Sequence, residues 1–301
     1  MGLGFQERHG HPDDARVTRC DRGWRLRLTF GATVRERRPL RAAALLLVCL
    51  GIGLRPGLAG AQTASTPPAE SDSPEDPTKA VFFSLRNEFF SLSDGNWNNA
   101  FIFRFDRAVL RSHPTLGGKV GLLTRFDVPI VFAARTDTRF NGLGDLYGQA
   151  LYVPFITPRF ALAMGGGLGV PTATEPQLGS GKWQAAPLVA PVWFLPRRRG
   201  FFLIRFHEHV SFAGDEDRLD INNLEIVPLL FRTFKRTWWT LVDTNMLIDF
   251  ELDYVSWRTG IEIGHVIRRT WGVSVKPEIP WGPNQRGDWK VIVFVTRYRG
   301  R

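Results

Sequence analysis

Apolar and polar side chains alternate at every second position through most of the chain after residue 79. A period of two places successive side chains on opposite faces of a β-strand. The clearest run covers residues 271 to 279, in which apolar Trp271, Val273, Val275, Pro277 and Ile279 alternate with Gly272, Ser274, Lys276 and Glu278. The pattern therefore predicts an all-β fold whose strands have one apolar face and one polar face.

Twelve segments carry this pattern, and their connections alternate between two kinds. The predicted strands cover residues 80–92, 98–111, 118–131, 143–155, 159–170, 181–195, 200–212, 220–233, 237–249, 254–266, 270–280 and 288–298. Tight basic turns lie at residues 157–159, 197–199, 235–236 and 268–269. Longer, more polar loops lie at residues 135–142, 172–181, 214–220, 249–253 and 282–288. An even number of strands joined this way predicts a hairpin repeated around a closed ring.

The nine tryptophans after residue 61 distinguish a membrane barrel from a soluble sandwich, which would also alternate. Five lie beside the long loops, namely Trp97, Trp183, Trp257, Trp281 and Trp289. Four lie beside the tight turns, namely Trp193, Trp238, Trp239 and Trp271. Two aromatic belts around an outward apolar band are typical of transmembrane β-barrels. We therefore predict a closed, antiparallel, up-and-down transmembrane β-barrel of about 12 strands over residues 80–301, with short basic periplasmic turns and longer extracellular loops.

The N-terminal part of the chain has the composition of a secretory leader. A basic stretch from residue 35 precedes 13 apolar residues at 42–54, and small residues follow at 59–61. This apolar run is shorter than the roughly 20 residues that a membrane-spanning helix needs, so it is a signal peptide that is cleaved after Ala61. We predict an extended N-terminus and signal peptide over residues 1–61 and a disordered periplasmic tail over 62–79. Translation starts at Met1 or near Val34.

The leader also explains the net charge of +10 and contains both cysteines. The remainder has 28 basic and 24 acidic residues, so its net charge is only +4. Without cysteine, that remainder excludes a disulfide framework, a thiol nucleophile and a thiolate metal site. Its basic turns are separate and form no continuous stripe, so nucleic acid is excluded as a partner.

Charged residues lie on the face opposite the apolar one, which a barrel turns toward its lumen. Basic and acidic residues two positions apart on one strand are separated by about 7 Å and can form ladders with neighbouring strands. Such a lumen is either a polar pore that orients a solute or a neutralised plug of salt bridges that fills a narrow barrel. The candidate solute-facing residues are Arg86, Glu88, Arg104, Asp106, Arg125, Asp127, Asp145, Lys182, Arg205, His207, Glu225, Arg258, Glu262, Lys276 and Glu278.

Residues 207–211 are the best candidates for catalysis or for binding a metal. His209 and Ser211 share a strand face, so the imidazole could activate the hydroxyl, as in a barrel-embedded hydrolase resembling a phospholipase. Their face is the inward one, away from a lipid ester, and we therefore expect no enzyme and no catalytic residue. His207 and His209 would hold a metal only with a third ligand on the same face, and none is evident, so no metal or cofactor is expected.

The acidic loop at residues 215–220 could hold a divalent cation between lipopolysaccharide phosphates or could simply be solvated, which is the favoured interpretation.

Several ordered segments resemble the MetA-pathway of phenol degradation family, with a similarity over residues 80 to 298. The segments are GLGDLY at 142–147, VPTAT at 170–174, LGSGKWQ at 178–184, SLRNE at 84–88 and KPEIPWGP at 276–283. The resemblance implies an outer-membrane β-barrel of a Gram-negative bacterium that passes aromatic or hydrophobic compounds. One departure is the terminus, where Arg299, Gly300 and Arg301 follow Tyr298 instead of a terminal aromatic residue.

The sequence as a whole predicts an outer-membrane channel or transporter for small hydrophobic or aromatic solutes. Its expected partners are outer-membrane lipid and lipopolysaccharide, the outer-membrane assembly machinery and a small-molecule solute. The alternatives are the hydrolase described above and a structural barrel with a closed lumen.

Overall fold

The computed structural model describes residues 81–113, 118–135, 137–196, 199–234, 237–268 and 270–298. The signal peptide and tail predicted at residues 1–61 and 62–79 lie outside these ranges. The strands are β1 (Val81–Ser91), β2 (Trp97–His113), β3 (Gly118–Arg135), β4 (Thr138–Leu143), β5 (Leu146–Ile156), β6 (Phe160–Val170), β7 (Lys182–Phe194), β8 (Gly200–Gly214), β9 (Asn222–Phe234), β10 (Trp238–Asp249), β11 (Tyr254–Ile267), β12 (Trp271–Trp281) and β13 (Trp289–Tyr298).

Two 3-10 turns that lie completely within the described ranges, Ser93–Gly95 and Pro176–Leu178, occur in the loops. No helix in the described ranges is long and apolar enough to cross a membrane.

The strands form one closed antiparallel sheet. Strands adjacent in sequence pair with each other except β4 and β5, and β1 pairs with β13, with Glu88 opposite Ile292. Both β4 and β5 pair with β3 and are separated only by Gly144 and Asp145, so together they form one interrupted strand of the wall. The wall therefore has twelve strands, and the predicted closed up-and-down barrel is confirmed.

The long loop predicted at residues 135–142 is wrong, because the hairpin continues through it. Strand β3 extends to Arg135 and β4 starts at Thr138, with Ile130 opposite Leu143. Thr, Asp, Asn and Gly in this segment favoured a loop, but cross-strand hydrogen bonds outweigh these weak local preferences. The break in the strand falls instead after Leu143, where the Gly144 amide donates to the Pro129 carbonyl at 3.0 Å.

The two faces of the wall have opposite character. Along β12 every second residue is buried, and the buried residues are the small or charged ones. On β11 the side chain of Ile261 is 51% exposed, whereas its neighbour Glu262 is 2% exposed. Exposed apolar rows and buried charged rows invert the usual arrangement of a water-soluble protein. The outer surface is therefore suited to an apolar medium.

Most of the predicted tryptophan belts lie on this outer surface. Trp183, Trp281 and Trp289 are exposed at the long-loop end, and Trp193, Trp238 and Trp271 are exposed at the tight-turn end. Trp239 does not belong to a belt, which corrects the sequence interpretation. It is 2% exposed, and its Nε1 donates to Glu262 Oε1 at 3.0 Å. Neighbouring residues of a strand point to opposite faces, so Trp238 faces outward and Trp239 inward.

An apolar cluster lies inside the barrel at the tight-turn end, and we call it the apolar plug. Its centre is Phe201 and Phe231, whose rings stack with centroids 5.1 Å apart. Trp239 and the partly buried Tyr298 pack with it. The plug consists of Leu151, Val153, Ile156, Ala161, Ala163, Leu188, Ala190, Val192, Phe201, Leu229, Phe231, Trp239, Leu241 and Val266. Apolar side chains thus occupy one end of the interior, and the charged residues lie in the rest.

Candidate functional site in the barrel lumen

The barrel encloses a central cavity of about 540 Å³. Fourteen of the fifteen residues predicted to face the lumen line it, namely Arg86, Glu88, Arg104, Asp106, Arg125, Asp127, Asp145, Arg205, His207, Glu225, Arg258, Glu262, Lys276 and Glu278. Contact of these residues with a solute stays a prediction.

Lys182 does not line the central cavity, contrary to the sequence prediction. It is buried at the start of β7, where its Nζ lies 3.1 Å from Asp220 Oδ1. That carboxylate belongs to the acidic loop, and Asp215 in the same loop accepts from the amide of Asp217 at 3.0 Å. The ion pair between Asp220 and Lys182 therefore connects the acidic loop to strand β7.

The charges that line the cavity almost cancel. Seven arginine and lysine side chains face eight carboxylates, so the formal charge of the wall is close to zero when both histidines are neutral. The cations are Arg86, Arg104, Arg125, Arg205, Arg258, Lys276 and Lys290, and the anions are Glu88, Asp106, Asp127, Asp145, Glu225, Asp243, Glu262 and Glu278. Charges in a confined space of low dielectric constant need this compensation.

Two ion pairs join β2 to β3 directly across the strands. Arg104 lies opposite Asp127 and donates to both carboxylate oxygens, at 2.8 and 2.7 Å. Asp106 lies opposite Arg125 and accepts from its Nε at 2.8 Å. A bidentate arginine–carboxylate contact fixes both side chains. The alternation of acid and base along each strand thus produces the ladder that the sequence pattern predicted.

A third ion pair closes the seam between the first and last strands. Glu88 on β1 lies 2.5 Å from Arg86 and 2.5 Å from Lys290 on β13. The contact with Lys290 therefore reinforces the backbone pairing of β1 with β13, where the barrel closes.

A lysine contact spans the three strands β10, β11 and β12. Lys276 on β12 lies 2.5 Å from Asp243 on β10 and 2.9 Å from Glu278. Its side chain crosses β11 at Gly260, where a Cβ atom would lie 2.5 Å from the lysine Cε. The glycine therefore makes room for the lysine to reach Asp243.

A second cavity of about 850 Å³, which we call the vestibule, lies among the long loops. Residues of three loops line it, including Asp220, Leu252 and Arg286. His209 and Glu225 line both the vestibule and the central cavity. The two spaces therefore meet at these two side chains.

The junction of the vestibule and the central cavity brings His207 and His209 close to Glu225, a proximity that the sequence did not predict. His207 lies opposite Glu225 on the neighbouring strand, and the rings of His207 and His209 are 4.2 Å apart. One ligand atom from each of the three residues lies within 4.8 Å of the other two. The expectation that no third ligand shares this face is therefore wrong. The pairing of β8 with β9 could not be read from single strands, although both residues were assigned to the lumen.

The hydroxyl of Ser211 is engaged elsewhere and does not pair with His209. Ser211 Oγ accepts from the amide of Ile221 at 2.9 Å and lies 3.3 Å from Asp220 Oδ1. The His209 ring packs instead against His207 and lies 6.4 Å from the Tyr147 ring. The described contacts thus lack the histidine–serine hydrogen bond on which a hydrolase would depend.

No family model and no curated protein matches the sequence, so the specific family that it resembles is not confirmed. Among solved structures, the barrel is similar to an outer membrane channel from Pseudomonas putida F1, with a TM-score of 0.61 and 10% sequence identity. The match covers 76% of this chain and 100% of that channel. The KdgM porin matches with a TM-score of 0.47 and 9% identity, over 72% of this chain and 99% of the porin. The first likeness identifies the fold as that of an outer-membrane β-barrel.

Proposed function

We propose that the protein is a channel in the outer membrane of a Gram-negative bacterium that admits small hydrophobic or aromatic solutes. The observation that carries this proposal is the central cavity inside the closed barrel. This cavity meets the vestibule at the long-loop end. The apolar outer surface supports insertion into lipid, with aromatic residues at both ends. The solved channel of similar fold supports the same assignment.

Unpaired polar atoms of the cavity wall support a wet interior. Arg205 Nε, Asn245 Oδ1 and Arg258 Nε are buried and have no hydrogen-bond partner among the described residues. A buried donor or acceptor without a partner costs about 1–3 kcal/mol, and water or a polar group of a solute would remove that cost. All three residues line the central cavity.

The solute class follows from the two kinds of wall. Leu188, Val192 and Leu229 line the part of the cavity that touches the apolar plug, whereas arginines and carboxylates line the rest. A volume of about 540 Å³ lies within the range of small-molecule sites. A small aromatic compound with one polar substituent would contact both parts, its ring on the apolar side and its substituent on the charged side.

The apolar plug leads us to expect a narrow path. Phe201 and Phe231 are 1% and 0% exposed, so water does not reach these rings in the conformation described. A solute that crosses the barrel has to pass the plug, and its side chains have to move.

Conductance tests the proposal directly. Full-length protein purified from membranes and inserted into planar lipid bilayers should produce discrete current steps of small amplitude. Liposomes that contain it should swell in a small aromatic solute faster than protein-free liposomes. If neither current steps nor swelling is detected for any solute, the channel assignment is wrong and a structural barrel with a closed lumen takes its place. Protein that is unfolded by boiling before it is added to the membranes provides the control.

The hydrolase alternative has no support in the contacts of Ser211. An esterase assay on wild-type protein and on Ser211→Ala discriminates it, because only a hydrolase would lose activity in the variant. We expect neither protein to cleave the ester.

A further inference from the structure

We propose that the lumen binds one divalent transition-metal ion at His207, His209 and Glu225. The three side chains come from two adjacent strands, β8 and β9, and point to the inside of the barrel. The proposal goes beyond channel function, since binding of an ion can be measured whether or not the barrel conducts.

The spacing of the three side chains suits a metal. One ligand atom from each lies within 4.8 Å of the others, and ligands about 2.0–2.2 Å from Zn²⁺ are separated by roughly 3–3.5 Å. Side-chain rotations alone can close this difference, because His209 and Glu225 border open space in both cavities. The backbone of the two paired strands need not move.

Hydrogen bonds around His207 prepare it as a ligand. The Tyr147 hydroxyl donates to Gln149 Oε1 at 3.2 Å and lies 3.1 Å from His207 Nε2. With the hydroxyl hydrogen on Gln149, the tyrosine oxygen would accept from Nε2–H and leave the Nδ1 lone pair of His207 free for a metal. Metal-binding histidines usually donate their second N–H to such a partner, which fixes the tautomer and the ring.

A glycine of strand β6 leaves space for the Tyr147 ring, which extends from β5. Its ring crosses β6 at Gly167, where a Cβ atom would lie 2.2 Å from the tyrosine hydroxyl oxygen. The tyrosine that supports His207 therefore depends on a glycine in β6, which lies two strands from β8 in the sheet.

The charge around Glu225 also permits a cation. Arg205 lies 3.7 Å from Glu225 Oε2, too far for a strong hydrogen bond, so the carboxylate is not saturated by its arginine. The eight carboxylates of the wall outnumber its seven fixed cations. A bound ion would lie where the vestibule meets the central cavity.

The donor set indicates the chemical class of the ion. Two imidazoles and one carboxylate favour Zn²⁺, Ni²⁺ or Cu²⁺ over Mg²⁺ and Ca²⁺, which prefer oxygen ligands alone. Water would complete the coordination, as in zinc sites that keep an open position.

Zn²⁺ titration of the full chain in detergent tests the site. The background carries His9→Asn, His11→Asn, Cys20→Ser and Cys49→Ser, because these four residues lie in the leader and could bind Zn²⁺ themselves. We expect one saturable Zn²⁺ site, and an affinity at least about tenfold lower in His207→Asn, His209→Asn and Glu225→Gln, since loss of an outer-shell partner alone costs about 10–100-fold. His265→Asn is the matched control, because His265 packs on the outward Trp238 and should leave the affinity unchanged.

The electron paramagnetic resonance spectrum of bound Cu²⁺ gives a second readout. We expect coupling to two imidazole nitrogens in the background protein and to one in either histidine variant. Faster migration of unboiled samples on gels identifies the variants that fold. Absence of imidazole coupling in the background protein overturns the proposal without any variant. It is also overturned if folded variants bind Zn²⁺ as tightly as the His265→Asn control.

Discussion

Replacing Asp127 by asparagine is expected to lower the free energy of unfolding of the barrel by about 3 kcal/mol, because it leaves Arg104 charged in a buried position without its counterion. Arg104 and Asp127 are both 8% exposed and share two hydrogen bonds. Breaking a buried pair costs about 3–5 kcal/mol, and we place this pair at the lower end because the central cavity admits water on one side. Urea unfolding in lipid vesicles, followed by tryptophan fluorescence, measures the change.

The matched variants separate the loss of a counterion from the loss of attraction. Arg104→Leu combined with Asp127→Leu should cost clearly less than Asp127→Asn alone, since neither charge remains. Asp215→Asn should cost about 0–1 kcal/mol, because Asp215 and its partner Arg218 are both accessible to solvent. An equal loss in Asp127→Asn and Asp215→Asn would contradict the buried ladder.

Replacing Phe231 by alanine is expected to produce the other large effect, a loss of about 3–5 kcal/mol together with a higher conductance. The ring is fully buried at the centre of the apolar plug and stacks on Phe201. Its removal deletes apolar contacts and leaves a void in the part of the lumen that the plug closes. Unfolding in vesicles gives the first value, and single-channel recording in planar bilayers gives the second.

The control for this variant is Phe234→Ala on the same strand, whose ring is 42% exposed. It should cost less stability and leave the conductance unchanged, because Phe234 does not belong to the plug. If Phe231→Ala lowers stability without any rise in conductance, the plug does not limit the path, and the constriction lies elsewhere.

The sequence alone predicts the closed barrel, and fourteen of the fifteen residues that it assigns to the lumen line the central cavity. Alternation along residues 271–279 predicts a strand and which of its residues share a face. In β12 every second residue is buried, as predicted. Trp239 follows the same rule, since it shares its parity with Asp243 on β10, and only its nearness to a turn suggested a place in the belt.

Contacts between strands could not be predicted, because they depend on register. The register between β8 and β9, which places His207 opposite Glu225, is set by the loop at residues 215–221. A shift of this register by one residue would turn every side chain of a strand to the other face. The loop expected at 135–142 failed for a related reason. Its turn-forming residues are local signals, whereas the pairing of Ile130 with Leu143 is a contact between strands.

The apolar plug was also missed, although its residues belong to inward-facing rows. The alternation pattern predicts charge on the inward face, but the inward residues near the tight turns are apolar, as Phe201 and Phe231 show. Both kinds of residue face the lumen at different depths. Neither interpretation of the lumen, a polar pore or a plug of salt bridges, included this apolar end of the interior.

Oxygen accessibility of spin labels along β12 tests the central claim, that the apolar rows face lipid and the charged rows face the lumen. Single cysteines replace Val275, Ile279 and Ser274 in a background with Cys20→Ser and Cys49→Ser, and the labelled protein is placed in lipid vesicles. We predict frequent collisions with oxygen, which dissolves in the bilayer, at Val275 and Ile279, and few at Ser274, which is 3% exposed. Equal accessibility at the three positions, or greater oxygen accessibility at Ser274, would contradict the account.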